Sequence, residues 1–446
     1  MLGMTAMRTK TSRDKVRKLY AFIGENLYFS RPDLHIQGES TNATLLLSFL
    51  TALTGGKALV IGEPGLGKTT AAEYVCALVY GFPLGIIWSS AVSGHPEQTE
   101  EKIVGRPNLG KLNQGEEVVI WSYFARLPVK IVDEINRLPE TKQSLILDGV
   151  ERGKWEYLNQ GLVNDEFCLF ATANYQDQGT NTLVPPLLDR FDVVVESKHP
   201  GANIAALIGQ SACRDVVLRH RASEEAFFEA LRSDGNGTSA SLEKAHQGFT
   251  KVLRQHYGLE TLSREERQAV RREIAALEVD LAANAFLRMA LAELSFCCKY
   301  GQKRSSEVCD EGCHYTGYLC YTVNNCASNR LPGSIYRYAR ALAWWLGSER
   351  VEVEHVRSIL PYALAHRTQW RESYLLLRER ERRHEPLLLH AARHATADVF
   401  RRFHEQRHEI MQALGAAARI LAGEEFMSPQ GDHPLYAEIR RDLGLE

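Results

Sequence analysis

The sequence predicts an α/β protein with a parallel sheet in its first half and an almost wholly helical second half. Short apolar runs alternate with helical stretches, which is typical of β–α–β units and of a sheet buried on both faces. A glycine-rich turn joins one such run to a helix, and after Pro200 the patterning becomes helical. The strand-like runs are Ala58–Ile61, Gly85–Trp88, Val129–Val132, Phe167–Phe170 and Val193–Val195.

The composition narrows the class of protein. A chain of 446 residues has room for about three domains. Its 44% hydrophobic and 24% charged residues exclude a wholly disordered, collagen-like or disulfide-scaffold chain. The net charge of -2 does not direct the whole chain to nucleic acid or a membrane, although it leaves a local basic patch open. Without an apolar run of ~18 residues or a secretory h-region, we expect a cytoplasmic protein with reduced or metal-bound cysteines.

Residues 62–69 match the phosphate-loop pattern G-x-x-x-x-G-K-[ST] between a predicted strand and a predicted helix. Glycines let backbone N–H groups converge on phosphates, and the helix directs its positive end at the same anion. Lys68 would contact the β- and γ-phosphates, and the Thr69 hydroxyl would bind Mg²⁺. The sequence thus predicts a site for ATP or GTP. Its residues are Gly62, Glu63, Pro64, Gly65, Leu66, Gly67, Lys68, Thr69 and Thr70.

Polar residues end the later strands. Asp133 and Glu134 follow an apolar strand, so we expect Asp133 to hold Mg²⁺ through water and Glu134 to act as general base on the attacking water. Asn174 ends the next strand and could orient that water. Arg190, in Leu188-Asp-Arg-Phe191, could reach the γ-phosphate of a neighbouring subunit, although an ordinary ion pair is the alternative.

Several of these segments resemble AAA+ ATPases of the MoxR type. The resemblance rests on the phosphate loop, Asp133-Glu-Ile-Asn-Arg137, Lys142-Gln-Ser, Ala171-Thr-Ala-Asn174, Gln178-Gly-Thr180, Leu188-Asp-Arg-Phe191 and Leu364-Ala-His-Arg367. It implies an αβα nucleotide-binding subdomain with a helical lid, usually in a ring of six with ATP at subunit boundaries. It also implies that Asn174 is the sensor-1 residue, Arg190 the arginine finger and Arg330 the sensor-2 residue, with Arg337 as the fallback.

We expect five regions along the chain: an N-terminal helical segment (1–41), a large ATPase subdomain (42–200), a helical insertion (201–284), a lid (285–370) and a helical C-terminal extension (371–446). The insertion and the extension depart from the family pattern. The resemblance implies the ATPase subdomain and the lid. It also implies two β-hairpins, at Lys111–Trp121 and Lys154–Val163, with turns at Asn113-Gln-Gly115 and Asn159-Gln-Gly161.

Six of the nine cysteines lie between Cys297 and Cys326. Zinc binding, free structural thiols and an Fe–S or redox site all stay open, because the intervals are irregular. The preferred zinc ligands are Cys309, Cys313, Cys320 and Cys326.

The tail contains His404-Glu-Gln-Arg-His408, which matches the zinc-protease pattern H-E-x-x-H. Arginines surround it and a third ligand is missing from the pattern, so a solvated His/Arg face is the preferred interpretation. His390 and His394 belong to the same predicted stripe.

Together these features predict an ATP-hydrolysing ring ATPase, with ATP and Mg²⁺ as cofactors, that remodels or activates a protein partner. The resemblance suggests a partner with a von Willebrand factor A domain or a metalloenzyme that needs maturation. From the composition and the lack of a long apolar run we expect no membrane partner. Two alternatives remain: a nucleic-acid-dependent motor of the restriction or defence type, and an ATPase that carries a C-terminal metalloprotease site.

Overall fold

The structure is a computed structural model that describes residues 2–174, 183, 185–210, 214–233, 240–297, 301–302, 313, 315–324, 327–382, 385–425 and 427–445. The chain forms two compact units, Met1–Ile274 and Ala275–Glu446. The first unit contains the large sheet, and the second consists mainly of helices.

The strands are β1 (Leu34–Ile36), β2 (Glu39–Thr41), β3 (Lys57–Ile61), β4 (Val92–Ser93), β5 (Gly105–Pro107), β6 (Val119–Trp121), β7 (Val129–Asp133), β8 (Lys154–Tyr157), β9 (Gln160–Val163), β10 (Cys168–Ala173), β11 (Val193–Glu196), β12 (Phe296–Cys297) and β13 (Gly301–Gln302). The helices of the first unit are α1 (Leu2–Asn26), α2 (Ala43–Thr54), α3 (Lys68–Tyr80), α4 (Leu84–Ser90), α5 (Glu100–Ile103), α6 (Leu109–Leu112), α7 (Tyr123–Arg126), α8 (Glu140–Arg152), α9 (Pro185–Leu188), α10 (Ala202–Gln210), α11 (Arg221–Ser233), α12 (Ala240–Tyr257) and α13 (Arg264–Ala276), the last of which ends just inside the second unit. The helices of the second unit are α14 (Leu281–Ser295), α15 (Leu319–Thr322), α16 (Arg330–Leu346), α17 (Val353–Leu364), α18 (Glu372–Glu381), α19 (Leu387–Glu405), α20 (Arg407–Leu421) and α21 (Pro434–Asp442).

The large sheet is parallel and has the strand order β11-β3-β10-β7-β4, which confirms the predicted α/β class. Every residue of β10 is buried, as expected of a central strand covered on both faces. The register pairs Ala173 with Ile61 and Ala171 with Val132. The carboxyl ends of β3, β7 and β10 therefore meet at one edge, where α/β sheets bind their ligands.

Four of the five predicted strand runs are strands: β3, β7, β10 and β11. The prediction for Gly85–Trp88 is wrong, because these residues lie in α4 after the N-cap residue Pro83. The edge strand is instead Val92–Ser93, which pairs with the end of β7. A short apolar run has the same composition in a buried strand and in a buried helix, so the pattern did not separate the two.

The second predicted hairpin is confirmed and the first is wrong. β8 and β9 pair across 154–163, although the turn lies at Leu158 and Asn159, whose φ angles of 46° and 56° fit a type I′ turn. In the first segment, β6 pairs with β5 at Gly105–Pro107, and the short helix α6 lies between them. The pattern Asn113-Gln-Gly115 indicated a tight turn at the end of that helix.

The second unit is built around α17, which packs against α14, α16 and α19, and α14 also packs against α19. A buried ionic cluster lies in its core: Arg402 donates to both oxygens of Glu293, at 2.9 and 2.5 Å, and His433 Nε2 lies 3.2 Å from Glu293 Oε1. Burial raises the pKa of Glu293, but the hydrogen bonds from His433 and Arg402 outweigh it, so the net shift is downward. The cluster thus ties α19 and the segment before α21 to α14.

In the described part of the chain no single helix is long and apolar enough to cross a membrane. The pair Lys68–Tyr80 and Leu84–Ser90 meets those criteria jointly, by length and composition, but is bent by 118°.

Candidate active site

The turn between β3 and α3 has the backbone of a phosphate loop. Gly62, Gly65 and Gly67 have φ angles of 151°, 79° and 74°, which favour glycine. A Cβ on Gly62 would lie 2.7 Å from the Ser197 carbonyl oxygen, so that position also lacks room for a side chain. Gly67 is the N-cap of α3, so the loop leads directly into the positive end of a helix.

Lys68 is buried, and its ammonium group lies within the loop. Nζ donates to the carbonyl oxygens of Gly62 at 3.0 Å and Glu63 at 2.8 Å. It also donates to Asn174 Oδ1 at 2.7 Å, which joins the loop to the end of β10. The cation therefore lies between the loop and the sheet edge, where it can meet a phosphate group.

Asp133 lies beside the Thr69 hydroxyl. Thr69 Oγ1 donates to Asp133 Oδ1 at 2.6 Å, and Thr172 Oγ1 donates to the same oxygen at 2.6 Å. A hydroxyl and a carboxylate are the hard oxygen donors that Mg²⁺ prefers, usually with waters and substrate phosphates completing its shell. These oxygen ligands thus fit the magnesium ion that accompanies a nucleoside triphosphate.

Glu134 has a left-handed backbone, with φ and ψ both at 51°. This conformation is uncommon for a residue with a side chain and persists where the surroundings impose it. Here Glu134 N donates to Thr172 Oγ1 at 2.8 Å, and Gly94 packs so closely that a Cβ on it would lie 2.0 Å from Glu134 O. The turn directs the carboxylate toward Asn174, whose Nδ2 donates to Glu134 Oε1 at 2.8 Å.

One amide therefore links the two motifs. Asn174 accepts from Lys68 through Oδ1 and donates to Glu134 through Nδ2. Glu134 Oε2 also lies 3.0 Å from Arg137 NH1, so the carboxylate is held on both sides. The structure brings together Lys68, Thr69, Asp133, Glu134 and Asn174, all of which the sequence had nominated.

Arg190 lies in an ion-paired position within its own chain. Its NH1 lies 2.5 Å from Asp148 Oδ1, and its Nε lies 3.7 Å from Glu151 Oε2. Its side chain is 23% exposed, so the guanidinium is held by α8 and still reaches the surface. A role toward a neighbouring subunit stays a prediction.

The predicted sensor-2 residues lie in the second unit. Arg330 is the first residue of α16, and Arg337 lies two turns later on the same helix. Both residues are exposed. Their assignment stays a prediction.

The cysteine cluster is described in part. Cys309 and Cys326 lie outside the described residues, as does Gln178-Gly-Thr180 of the resemblance. Cys320 is buried on α15 and Cys313 is half-buried. The zinc assignment for these four cysteines stays a prediction.

The zinc-protease pattern does not form the helix that it requires. α19 ends at Glu405 and α20 begins at Arg407, so a break lies between His404 and His408. All three motif residues are exposed, and His408 Nε2 lies 3.0 Å from Gln412 Nε2. The expected spacing of both histidines along one helix is wrong, because the chain leaves the helix at Gln406.

Sequence reasoning missed residues that support the site. Thr172 lies two positions before Asn174, and this period places both side chains on one face of β10, a signal that was present in the sequence. Tyr28 packs against Gly67 and its hydroxyl lies 3.2 Å from Ser197 Oγ, which in turn donates to Leu66 O at 2.7 Å. No motif marks Tyr28, since only the fold brings the end of α1 to the loop.

Two parts of the chain match known protein families. Residues 57–191 match the family described as the AAA domain of the dynein-related subfamily. Residues 325–386 match the family described as the AAA lid domain. The chain carries an AAA+ ATPase domain and an AAA lid. The AAA+ match includes the phosphate loop, Asp133, Glu134, Asn174 and Arg190.

The fold is also similar to a solved structure. A crystal structure of a candidate ATPase from Cytophaga hutchinsonii has a TM-score of 0.58 and 16% sequence identity. The likeness covers 90% of this chain and 97% of that chain, so the shared fold extends beyond the two matched segments. No curated protein matches the chain.

Proposed function

We propose that this chain is a cytoplasmic AAA+ ATPase of the MoxR type that forms a ring of six subunits and remodels or activates a protein partner. The proposal that the chain hydrolyses ATP rests on the Asn174 amide, which joins Lys68 of the phosphate loop to Glu134 at the end of β7. A protein that only binds nucleotide has no need for a carboxylate fixed at this place.

The geometry supports a direct role for each side chain. Lys68 and the loop amides would hold the triphosphate, and Thr69 and, through water, Asp133 would hold the Mg²⁺ that neutralises phosphate charge. Glu134 takes a proton from a water as that water attacks the γ-phosphorus, and the bond to the ADP oxygen breaks. Asn174 orients the carboxylate and the water.

Replacing Asn174 by Ala tests this arrangement. We expect turnover of ATP to fall by about 10- to 100-fold with little change in ATP affinity, because the amide orients the base and does little for ground-state binding. Steady-state hydrolysis and equilibrium binding of a fluorescent ATP analogue measure the two effects. Asn113→Ala, at an exposed asparagine on the same unit, is the matched control. Equal activity of Asn174→Ala and wild type would remove Asn174 from the mechanism.

The partner half of the proposal rests on the MoxR resemblance, which suggests a client with a von Willebrand factor A domain. Glu134→Gln should hold ATP and retain the client, so capture on this variant with ATP should exceed capture on Lys68→Ala, which lacks the phosphate contact. Capture that does not depend on ATP would contradict remodelling. If duplex DNA stimulates hydrolysis in a salt-sensitive way, the nucleic-acid motor is the better description.

A further inference from the structure

A cluster of potential metal ligands lies in the second unit, where the end of α18 meets the first turns of α19. The cluster consists of Glu381, His390 and His394. Among the residues that the structure describes, these are the His, Cys, Asp or Glu side chains that form a group of three close enough to share one metal ion. These ligand atoms all lie within 4.8 Å of one another. The cluster is separate from both the cysteine-rich segment and the H-E-x-x-H pattern.

The two histidines lie one helical turn apart on α19, so their rings share a face, with centroids 4.5 Å apart. His390 Nδ1 lies 3.3 Å from Glu385 Oε2, which favours a proton on that nitrogen. His390 Nε2 is buried and hydrogen-bonds to nothing among the residues that the structure describes. A carboxylate behind one ring nitrogen and a lone pair on the other is the usual arrangement of a metal-binding histidine.

A cationic group already lies between the other two ligands. Arg378 NH1 lies 2.7 Å from Glu381 Oε2 and 3.0 Å from His394 Nδ1, which must accept the hydrogen bond. His394 Nδ1 therefore offers a lone pair, as His390 Nε2 does when its proton lies on Nδ1, and the space between Glu381 and His394 already accommodates positive charge.

We propose that Glu381, His390 and His394 bind a divalent transition metal, with Zn²⁺ the best fit, in exchange for Arg378. Two imidazoles and one carboxylate suit zinc better than magnesium or calcium, and a water can complete the tetrahedron. Ligand atoms around zinc lie ~3.3 Å apart, so the present spacing closes through small side-chain movements. The bound ion ties the end of α18 to α19.

The experiment measures zinc bound by the full chain after treatment with a chelator and dialysis against Zn²⁺. Elemental analysis gives the stoichiometry, and a competing zinc indicator gives the affinity. We expect His390→Ala with His394→Ala to lose one equivalent of zinc and Glu381→Gln to bind at least tenfold more weakly. We expect Arg378→Met to bind more tightly, because the competing cation is gone.

The matched control is His404→Ala with His408→Ala, an exposed pair with the same sequence spacing, which should keep the wild-type zinc content. The difference in bound zinc between each variant and wild type reports on this site alone, because any zinc held by cysteines contributes equally to both. Glu381 is 44% exposed, so Glu381→Gln should fold even if the histidine variant does not. Unchanged zinc content and affinity in folded Glu381→Gln, or in the folded histidine variant, would overturn the proposal.

Discussion

At the scale of single residues, the site depends on side chains that each form hydrogen bonds with two different partners. Asn174 joins Lys68 to Glu134, and Thr172 joins Asp133 to the backbone of Glu134. The sequence nominated Asn174 because a polar residue ends a buried strand. It did not nominate Arg137, because only the left-handed turn at Glu134 brings its guanidinium to that carboxylate.

Thr172→Val tests the role of the buried hydroxyl. The change keeps the shape of the side chain but removes one of the two hydroxyl donors to Asp133 Oδ1, leaving only Thr69, and takes away the Thr172 acceptor of Glu134 N. We expect the free energy of unfolding of the first unit to fall by about 1–3 kcal/mol and ATP turnover to fall with it. Denaturant unfolding and steady-state kinetics measure the two effects. Thr172→Ser keeps the hydroxyl and should stay close to wild type in turnover. Equal loss in the Ser and Val variants would contradict the hydrogen-bonding role.

At the scale of elements, local patterns were predictable and long-range pairing was not. The phosphate loop and the strand-end carboxylates follow from short segments whose backbone and charge leave few alternatives. The pairing of β6 with β5 depends on residues separated by a helix, so the nearby Asn113-Gln-Gly115 suggested the wrong partner. The prediction of a strand at Gly85–Trp88 failed because a short apolar run can form either a strand or a helix, and its tertiary surroundings make this one helical.

The N-terminus of α17 predicts a pH dependence. Glu352 N donates to His355 Nδ1 at 2.9 Å, which requires a lone pair on that nitrogen, and His355 is buried. Burial lowers the pKa of His355, although the carboxylates of Glu352 and Glu354 oppose the shift. Because the folded-state pKa lies below the unfolded value of about 6.5, this contribution to stability is present above that pH and is lost as the pH falls below it.

His355→Gln should therefore flatten the pH dependence of unfolding. Gln can accept the bond from Glu352 N but does not titrate, so stability should change less between about pH 7 and about pH 5.5 than in wild type. Denaturant unfolding at the two pH values measures the difference. His404→Gln, at an exposed histidine, should keep the wild-type dependence. Parallel curves for His355→Gln and wild type would contradict the assignment.

At the scale of the whole molecule, the proposed ring would complete each site with a residue of the neighbouring subunit. Arg190 is held by Asp148 and Glu151 on α8 and reaches the surface, which is compatible with a role across a subunit boundary. An arginine finger is worth ~10³–10⁵ in turnover.

Mixing two inactive variants tests this arrangement. Arg190→Ala and Lys68→Ala should each hydrolyse ATP poorly, but in a mixed ring a Lys68→Ala subunit can supply Arg190 to the intact phosphate loop of its neighbour. We expect the mixture to recover part of the wild-type turnover. Sedimentation of the mixture checks that mixed rings form. Mixed rings without recovered activity would show that Arg190 does not act across the boundary.

The most direct test of the whole account is the turnover of Glu134→Gln. The substitution keeps the shape of the side chain and a hydrogen-bonding oxygen but removes the base. We predict that ATP still binds and that hydrolysis falls by at least ~100-fold. Glu140→Gln, at an exposed glutamate nearby, should hydrolyse ATP at the wild-type rate. Normal hydrolysis by Glu134→Gln would contradict the central claim that this carboxylate, held by Asn174, activates the attacking water.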